Sequence, residues 1–183
     1  FRLDKLNQNF AAAYGSIKMA IARNNILTFA TETGGLVQFN STTEEISEIE
    51  MPVRGDCNIT GIFADEAGMH ILISAQAGPE VGVYYMQNAA KKPKLLKKLK
   101  GVPVTAVGWD NENKSADSTK AILLGTEDGR FIETCVTKGT EDNSKELYRI
   151  NCPGDCRISG MDVKRLPDKT FFILASTPSR FYE

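Results

Sequence analysis

Four cysteines, a single histidine and a run of lysines are the residues whose types and spacing could do chemistry. Cys57 and Cys156 stand in two nearly identical stretches, GDCNITGI at 55–62 and GDCRISGM at 154–161, and Cys152 precedes Cys156 in CPGDC. A structural zinc site needs a C-x₂₋₄-C pair joined by a second pair or by histidines, and only CPGDC approaches that spacing. One pair and one distant histidine do not make a site, so no metal is expected, and Cys57, Cys135, Cys152 and Cys156 read as small buried or loop thiols.

His70 follows Asp65-Glu66-Ala67-Gly68, a turn that leads into the strand-like HILIS. A serine hydrolase would place its nucleophile on a sharp strand-to-helix turn, and the sequence has no G-x-S-x-G. His70 therefore reads as a turn or strand-entry residue rather than a general base. The sequence also lacks a phosphate-binding Walker loop, a dinucleotide glycine fingerprint and H-E-x-x-H. Glu44, Glu45, Glu48 and Glu50 look like a solvated strand face, and no acidic pair can be placed at glycosidase spacing. No catalytic residue and no cofactor are expected.

KKPKLLKKLK carries Lys91, Lys92, Lys94, Lys97, Lys98 and Lys100, interrupted by Leu95, Leu96 and Leu99. Lys94, Lys97, Lys98 and Lys100 are the candidate acidic-partner or membrane patch. Pro93 and Gly101 leave too short a stretch between them for a stable isolated helix. The favoured reading is an outer strand whose charges guard a sheet edge.

The bulk numbers set limits on partners. Lys plus Arg (22) nearly balance Asp plus Glu (23), so the whole-chain field gives no reason to expect nucleic acid. Hydrophobic residues at 42% and charged residues at 25% are ordinary for a globular domain with a buried core. No apolar stretch approaches the ~18–20 residues of a membrane-spanning helix, and the N-terminus has no secretory h-region. Triplets at Asn40, Asn58 and Asn113 would accept glycans only in a secreted chain. The chain starts without Met and stops in a strand-like run, so it is expected to be part of a larger protein.

Short β-branched or aromatic runs bounded by Gly, Asp, Asn and Ser dominate, and they fall into four sets. The first is SIKMAIA, NILTFAT, GLVQFN and EISEIEMPV; the second NITGIFAD, HILISAQ, VGVYYMQ and PKLLKKLKG. The third is PVTAVGWD, KAILLGTE, GRFIETCV and KELYRIN, and RISGMDVK, TFFILAST and SRFYE begin a fourth. Ile17, Ile59, Val104 and Ile158 then align at intervals of roughly 40–55 residues, close to one propeller blade. The expected fold is an all-β, WD40-like β-propeller of four-stranded blades, incomplete, with approximate blades at 14–53, 54–101, 102–151 and 152–183, the last unfinished. A β-sandwich is the rival, but it has no reason to restate a blade-entry phrase.

On this frame Thr60, Gly61, Ser159 and Gly160 lie in innermost strands, where little side-chain volume fits. Cys57 and Cys156 fall at equivalent positions two blades apart, too far for a disulfide between them. The G-D-C repeat then marks a packing or turn residue. Trp109 should end an inner strand and be buried between blades, with Trp109→Ala costing about 3–5 kcal/mol. Phe63, Tyr84, Tyr85, Phe131, Phe171 and Phe172 read as inter-blade packing. Open edges of an incomplete propeller should be covered by another copy if the chain is complete, or by blades beyond one or both termini if it is not.

Certain residues are specific enough for a family resemblance. Asp65, Gly68, His70 and Leu72, then Lys100-Gly101 and Val107-Gly108-Trp109, then Leu124-Gly125-Thr126, Gly129 and Glu133, then Ala175, Thr177, Arg180 and Phe181 recur in order and approximate spacing. Across about three quarters of the chain this series resembles the N-terminal propeller of the deep orange family, that of vacuolar protein sorting-associated protein 18. The resemblance implies a non-catalytic scaffold in the HOPS and CORVET tethering complexes, supporting docking and fusion of late-endosomal, lysosomal or vacuolar membranes. It implies other tethering subunits as protein partners, SNAREs or small GTPases as indirect ones, and a cytoplasmic protein peripheral on those membranes. The family's helical solenoid and RING zinc module have no counterpart here, so zinc binding and ubiquitin-ligase activity do not carry over. A propeller-fold hydrolase and a lipid-surface module using Lys91–Lys100 are the competing functions.

Overall fold

The structure, a computed structural model, describes residues 9–53, 56–88 and 90–183; Gly55 of the first G-D-C stretch lies outside them. A short helix α1 (Phe10–Tyr14) precedes β1 (Ile17–Arg23), β2 (Ile26–Thr31), β3 (Leu36–Asn40) and β4 (Ile46–Ile49). Then come β5 (Asn58–Ala64), β6 (His70–Ala77), β7 (Glu80–Gln87) and β8 (Lys94–Leu95), followed by a 3₁₀ turn at Lys97–Leu99. The third group is β9 (Val104–Gly108), β10 (Ser118–Thr126), β11 (Arg130–Thr137), β12 (Thr140–Glu141) and β13 (Lys145–Arg149). The fourth is β14 (Gly160–Arg165), β15 (Phe171–Ser176) and β16 (Phe181–Tyr182).

These strands form four antiparallel sheets in plain chain order, except that β12 and β13 both pair with β11 along successive stretches of one edge. The first strands lie side by side from sheet to sheet, β1 by β5, β5 by β9 and β9 by β14. That is the arc of a β-propeller, with first strands innermost and sheets face to face. A sandwich would pack two sheets, not four in succession.

Burial follows the pleat. On β6, Ile71, Ile73 and Ala75 face the first sheet while Leu72 faces the third. On β7, Tyr84 and Met86 point one way and Val83 and Tyr85 the other. Leu123 of β10 faces the fourth sheet, and Ile122 and Leu124 face the second. Inner sheets are thus covered on both faces, which is why HILIS and AILL are continuous apolar runs rather than alternating ones. On the outer face of the first sheet, α1 supplies the cover. Asn9 caps it by accepting from the Ala12 N–H, and Phe10 sits 5.1 Å from Phe29 and 5.3 Å from Phe39, ring centre to ring centre.

The first and third sheets each lock onto the next at a corner between their second and third strands, whereas Gly78 in the corresponding turn of the second sheet has open space around it. In the first sheet the Gly35 N–H donates to Thr31 Oγ1 at 3.0 Å and the Gly34 N–H to the Thr31 carbonyl at 3.0 Å. In the third sheet the Arg130 N–H donates to Thr126 Oγ1 at 2.8 Å and the Gly129 N–H to the Thr126 carbonyl at 3.2 Å. Both glycines adopt left-handed φ, +83° and +79°. Against each corner lies the entry segment of the next blade: a Cβ on Gly34 would stand 2.0 Å from the Cys57 carbonyl oxygen, and one on Gly129 would stand 2.9 Å from Cys156 Cβ. The G-D-C cysteines therefore mark where a blade entry presses on the corner of the blade before it.

The crowding assigned to Thr60, Gly61, Ser159 and Gly160 is distributed differently. A Cβ on Gly61 would meet Phe63 of its own strand, and one on Gly160 would meet the Ser176 hydroxyl of the adjacent strand. Inter-blade crowding instead falls on Gly108, facing Val163 and Met161, and on Gly125, facing Ile158.

The corner predicts unequal glycine costs. Gly129→Ala adds overpacking to left-handed strain and should lose about 2–4 kcal/mol. Gly15, also at φ +83° but with open space around it, should lose only about 1–2 kcal/mol on the same change. Urea denaturation of the two variants compares them, and equal losses would show that the corner is not a docking point.

Candidate functional site

Asp65 and His70 close the β5–β6 turn: Asp65 Oδ1 accepts from the His70 N–H at 2.8 Å, and the Asp65 N–H donates to the His70 carbonyl at 3.1 Å. Gly68 turns the chain there at φ +67°. The His70 ring is fully buried between the Tyr85 hydroxyl, 2.8 Å from Nδ1, and the Ser115 carbonyl, 2.7 Å from Nε2. A carbonyl only accepts, so Nε2 carries the proton and Nδ1 accepts from Tyr85. His70 thereby ties the second sheet to the β9–β10 loop of the third, with the Gln87 side chain adding a 2.6 Å bond to the Ala116 carbonyl. Both ring nitrogens are occupied.

Burial pushes the Tyr85 phenol up to about 12; the Gln87 side chain pulls it back, and the Asp65 and Asp117 charges push it further up. Asp128 next to the Thr126 corner moves the other way. Burial acts against its charge, but the Thr126 hydroxyl and Arg130, with Arg149, hold the carboxyl below its ordinary value.

The cysteine reading needs a correction. Cys152 and Cys156 form a disulfide, with Cα atoms 5.9 Å apart, so they are not the loop thiols the sequence suggested. Gly154, at φ +105°, folds the CPGDC loop back so that the two Cβ atoms meet. Cys57 and Cys135 are free and half-buried, and burial raises the Cys57 thiol above its ordinary pKa. Among the described residues no group of three or more His, Cys, Asp or Glu side chains is placed to hold a metal ion.

Trp109 also departs from expectation. It follows β9 and is half-buried, because its indole packs against the core between the second and third sheets on one side and lines an open cavity of about 520 Å³ on the other. All four first strands or their ends reach this axial cavity, through Arg23, Phe63, Glu66, Trp109 and Asp162 among others. Asn111 staples its rim, its amide donating to the Val163 carbonyl at 2.8 Å and the Trp109 carbonyl at 3.0 Å. Of the expected packing aromatics, Tyr84, Tyr85 and Phe131 are buried and Phe63 is half-buried. Phe171 and Phe172, 40% and 44% exposed, are not packed, because no described sheet lies beyond the fourth.

Gly125, Thr126 and Gly129 belong to the third-sheet corner, Thr126 also donating to Asp128 Oδ1 at 2.6 Å. Glu133 is exposed on β11, opposite Lys145 of β13. Arg180 is exposed, and its carbonyl accepts from the Thr177 N–H at 2.8 Å. The lysine segment is a strand only at Lys94–Leu95; Lys97 and Lys98 lie in the 3₁₀ turn. Lys98 bonds Glu141 through its N–H at 2.6 Å and Asn143 through Nζ at 3.3 Å, while Lys100 pairs with Glu80 at 3.0 Å. It is not an outer strand along its length. Buried Pro93, Leu96 and Leu99 recur every third residue, a period that suits the 3₁₀ turn rather than a strand. Sequence reasoning missed Thr31 and Gly34, although TETG at 31–34 and TEDG at 126–129 repeat openly and signal the corner.

Two measurements follow. The folded state holds Tyr85 protonated, so its contribution is full below the unfolded phenol value of ~10 and is lost as pH rises through about 12. Denaturation between pH 9 and 12 should show a steeper alkaline loss for the native chain than for Tyr85→Phe; parallel curves would contradict this. Trp109→Ala, at a half-buried position, should cost about 1–2 kcal/mol rather than the value of a core deletion, and a loss above ~3 kcal/mol would return the indole to the core.

Comparison with known proteins bears on this architecture. A model of the Pep3/Vps18/deep orange beta-propeller domain matches residues 1–183. Vacuolar sorting protein 18 of Arabidopsis thaliana is 26% identical over 100% of the chain, and the Caenorhabditis elegans vacuolar protein sorting-associated protein 18 homolog is 33% identical over 70%. The chain spans 19% and 12% of their lengths. Among solved structures, the WD40 domain of SCAP from fission yeast aligns with a TM-score of 0.53 at 9% identity, covering 91% of this chain and 40% of that one. The Cps50 (Swd1) beta-propeller domain of Myceliophteria thermophila aligns at 0.50 and 13% identity, covering 89% and 50%. These likenesses show the fold, and the domain match shows the family: the chain belongs to the Pep3/Vps18/deep orange β-propeller domain family.

Proposed function

We propose that this chain is propeller sequence of a non-catalytic scaffold in an endolysosomal or vacuolar membrane-tethering complex of the HOPS and CORVET type, acting in vesicle docking and fusion. The match of the family's propeller domain to all 183 residues carries this reading. The names of the relatives, vacuolar sorting proteins, support it. The reading takes 1–183 as part of one N-terminal propeller, with blades near 14–53, 54–101, 102–151 and 152–183. Its partners are other tethering subunits, with SNAREs and small GTPases reached through them, and its place is cytoplasmic and peripheral on late endosome, lysosome or vacuole.

The residues that carry the family pattern support a scaffold rather than a catalyst. Asp65, Gly68, His70, Gly125, Thr126 and Gly129 are spent on turns and blade contacts, and His70 is sealed on both nitrogens. Trp109, Glu133 and Arg180 retain exposed surface for contact. No helix among the described residues is long and apolar enough to cross a membrane.

Affinity purification of the full-length protein tests the reading. Other vacuolar sorting subunits should co-purify in comparable amounts. Recovery of the protein alone, turning over ester or glycoside substrates, would overturn it.

A further inference from the structure

The rim between the second and third sheets carries a second cavity, of about 190 Å³, lined by Tyr85, Lys92, Lys94, Asp117, Lys138 and Gly139 among others. Its lysines arrive from two blades. Buried Pro93 and Leu96 pin the chain on either side of Lys94, so the run into β8 turns Lys92 and Lys94 outward. Lys138 and Gly139 form the two-residue turn between β11 and β12, with φ of +50° and +76°, the left-handed pair of a tight hairpin. The Lys94 side chain lies over that turn: a Cβ on Gly139 would stand 3.1 Å from Lys94 Cδ and 3.2 Å from its Nζ. The Lys138 N–H is fixed by the Asp117 carbonyl at 2.8 Å.

The charges at this cavity do not cancel. Lys94 and Lys138 have no carboxylate within ion-pairing distance among the described residues, and Lys92 shares Glu50 at 3.3 Å in a largely exposed pair of little strength. Asp117 is the single carboxylate in the lining. With Lys92 shared by Glu50, the unpaired Lys94 and Lys138 against Asp117 leave the cleft net positive, which suits a phosphate anion, and the volume holds roughly six waters at ~30 Å³ each, enough for a phosphate and a small polyol but not for a peptide. Lysine binds phosphate as a point charge and needs no bidentate plane.

We propose that this cleft binds a phosphomonoester, with Lys94 and Lys138 as the main contacts and Lys92 as the third once it leaves Glu50. The ester is carried either by a soluble polyol phosphate or by the headgroup of a phosphorylated lipid. The strands of both sheets that form the cleft lie among the described residues, and its lining shares no residue with that of the axial cavity, so the site stands apart from that cavity and from the scaffold reading above.

Calorimetry on the purified full-length protein tests this with inositol monophosphate and inorganic phosphate. Sedimentation with phosphatidylcholine vesicles, with and without phosphatidylinositol monophosphate, separates the sources. Inositol monophosphate should bind saturably. Joint Lys94→Gln and Lys138→Gln substitution should weaken it by about tenfold or more, while Lys97→Gln, outside the cleft, should change it less than about twofold. Asp117→Asn should tighten binding by roughly threefold through removal of the like charge, an effect that misfolding cannot imitate. Sedimentation specific for the phosphorylated lipid and competed by inositol monophosphate assigns a headgroup; soluble binding without sedimentation assigns a free ester. Absence of saturable binding overturns the proposal, and so does binding indifferent to both Lys94→Gln with Lys138→Gln and Asp117→Asn.

Discussion

The contact that sets the first sheet against the second and the third against the fourth is the one between a Thr-Gly corner and the entry segment of the next sheet. A four-stranded sheet of this size has two apolar faces and cannot bury either by itself, so the angle and spacing of its neighbour must be set by something less plastic than side-chain packing. The corner supplies that. Thr126 accepts from Arg130 through its hydroxyl, and its carbonyl receives the Gly129 and Ile158 N–H groups, the latter at 3.1 Å from the incoming blade. Equivalent bonds recur elsewhere: Lys18 Nζ donates to the Ile59 carbonyl at 2.9 Å, and Thr105 Oγ1 donates to the Ile158 carbonyl at 2.7 Å. Aligned positions on alternate blades thus use different side chains, a long ammonium and a short hydroxyl, to hold the same backbone atom of the next blade.

With the sheets set in this way, the apolar residues sort by pleat alone. Each inner strand contributes alternate side chains to two separate clusters, so the molecule has several thin cores and no central one. The axis is left to an open, mixed cavity where Trp109, Arg23 and Asp162 meet water. His70 shows how polar groups enter these layers without penalty: each nitrogen has a partner, and those partners belong to different sheets. Among the described residues no buried side-chain nitrogen or oxygen lacks a hydrogen bond.

The lysine segment illustrates a competition between local composition and packing. Six lysines in ten residues would favour a solvated, unstructured run, yet Leu96 and Leu99 are almost completely buried. Burial of two leucines and a proline at a period of three anchors the stretch and converts scattered charge into an ordered row. Part of that row is paired, Lys92 with Glu50 and Lys100 with Glu80, and Lys94 beside the Lys138-Gly139 turn is not.

Strand composition, the recurrence of Ile17, Ile59, Val104 and Ile158, and the two G-D-C phrases were enough to establish a propeller with four successive units, because a blade repeat leaves its period in the chain whatever its neighbours do. Outside the lysine segment the order of runs within each set matched the strands, as continuous apolar stretches bounded by turn residues can do little else at that length. Only the tertiary structure decided which face each residue meets. It placed the steric crowding at Gly108 and Gly125 and not at Gly61, left Trp109 half-buried at the axis, and joined Cys152 to Cys156. It also brought Lys138 beside Lys94 across two blades. Contacts between residues distant in sequence depend on the stacking angle of sheets and on the sign of φ at single glycines, and neither is written in composition or period.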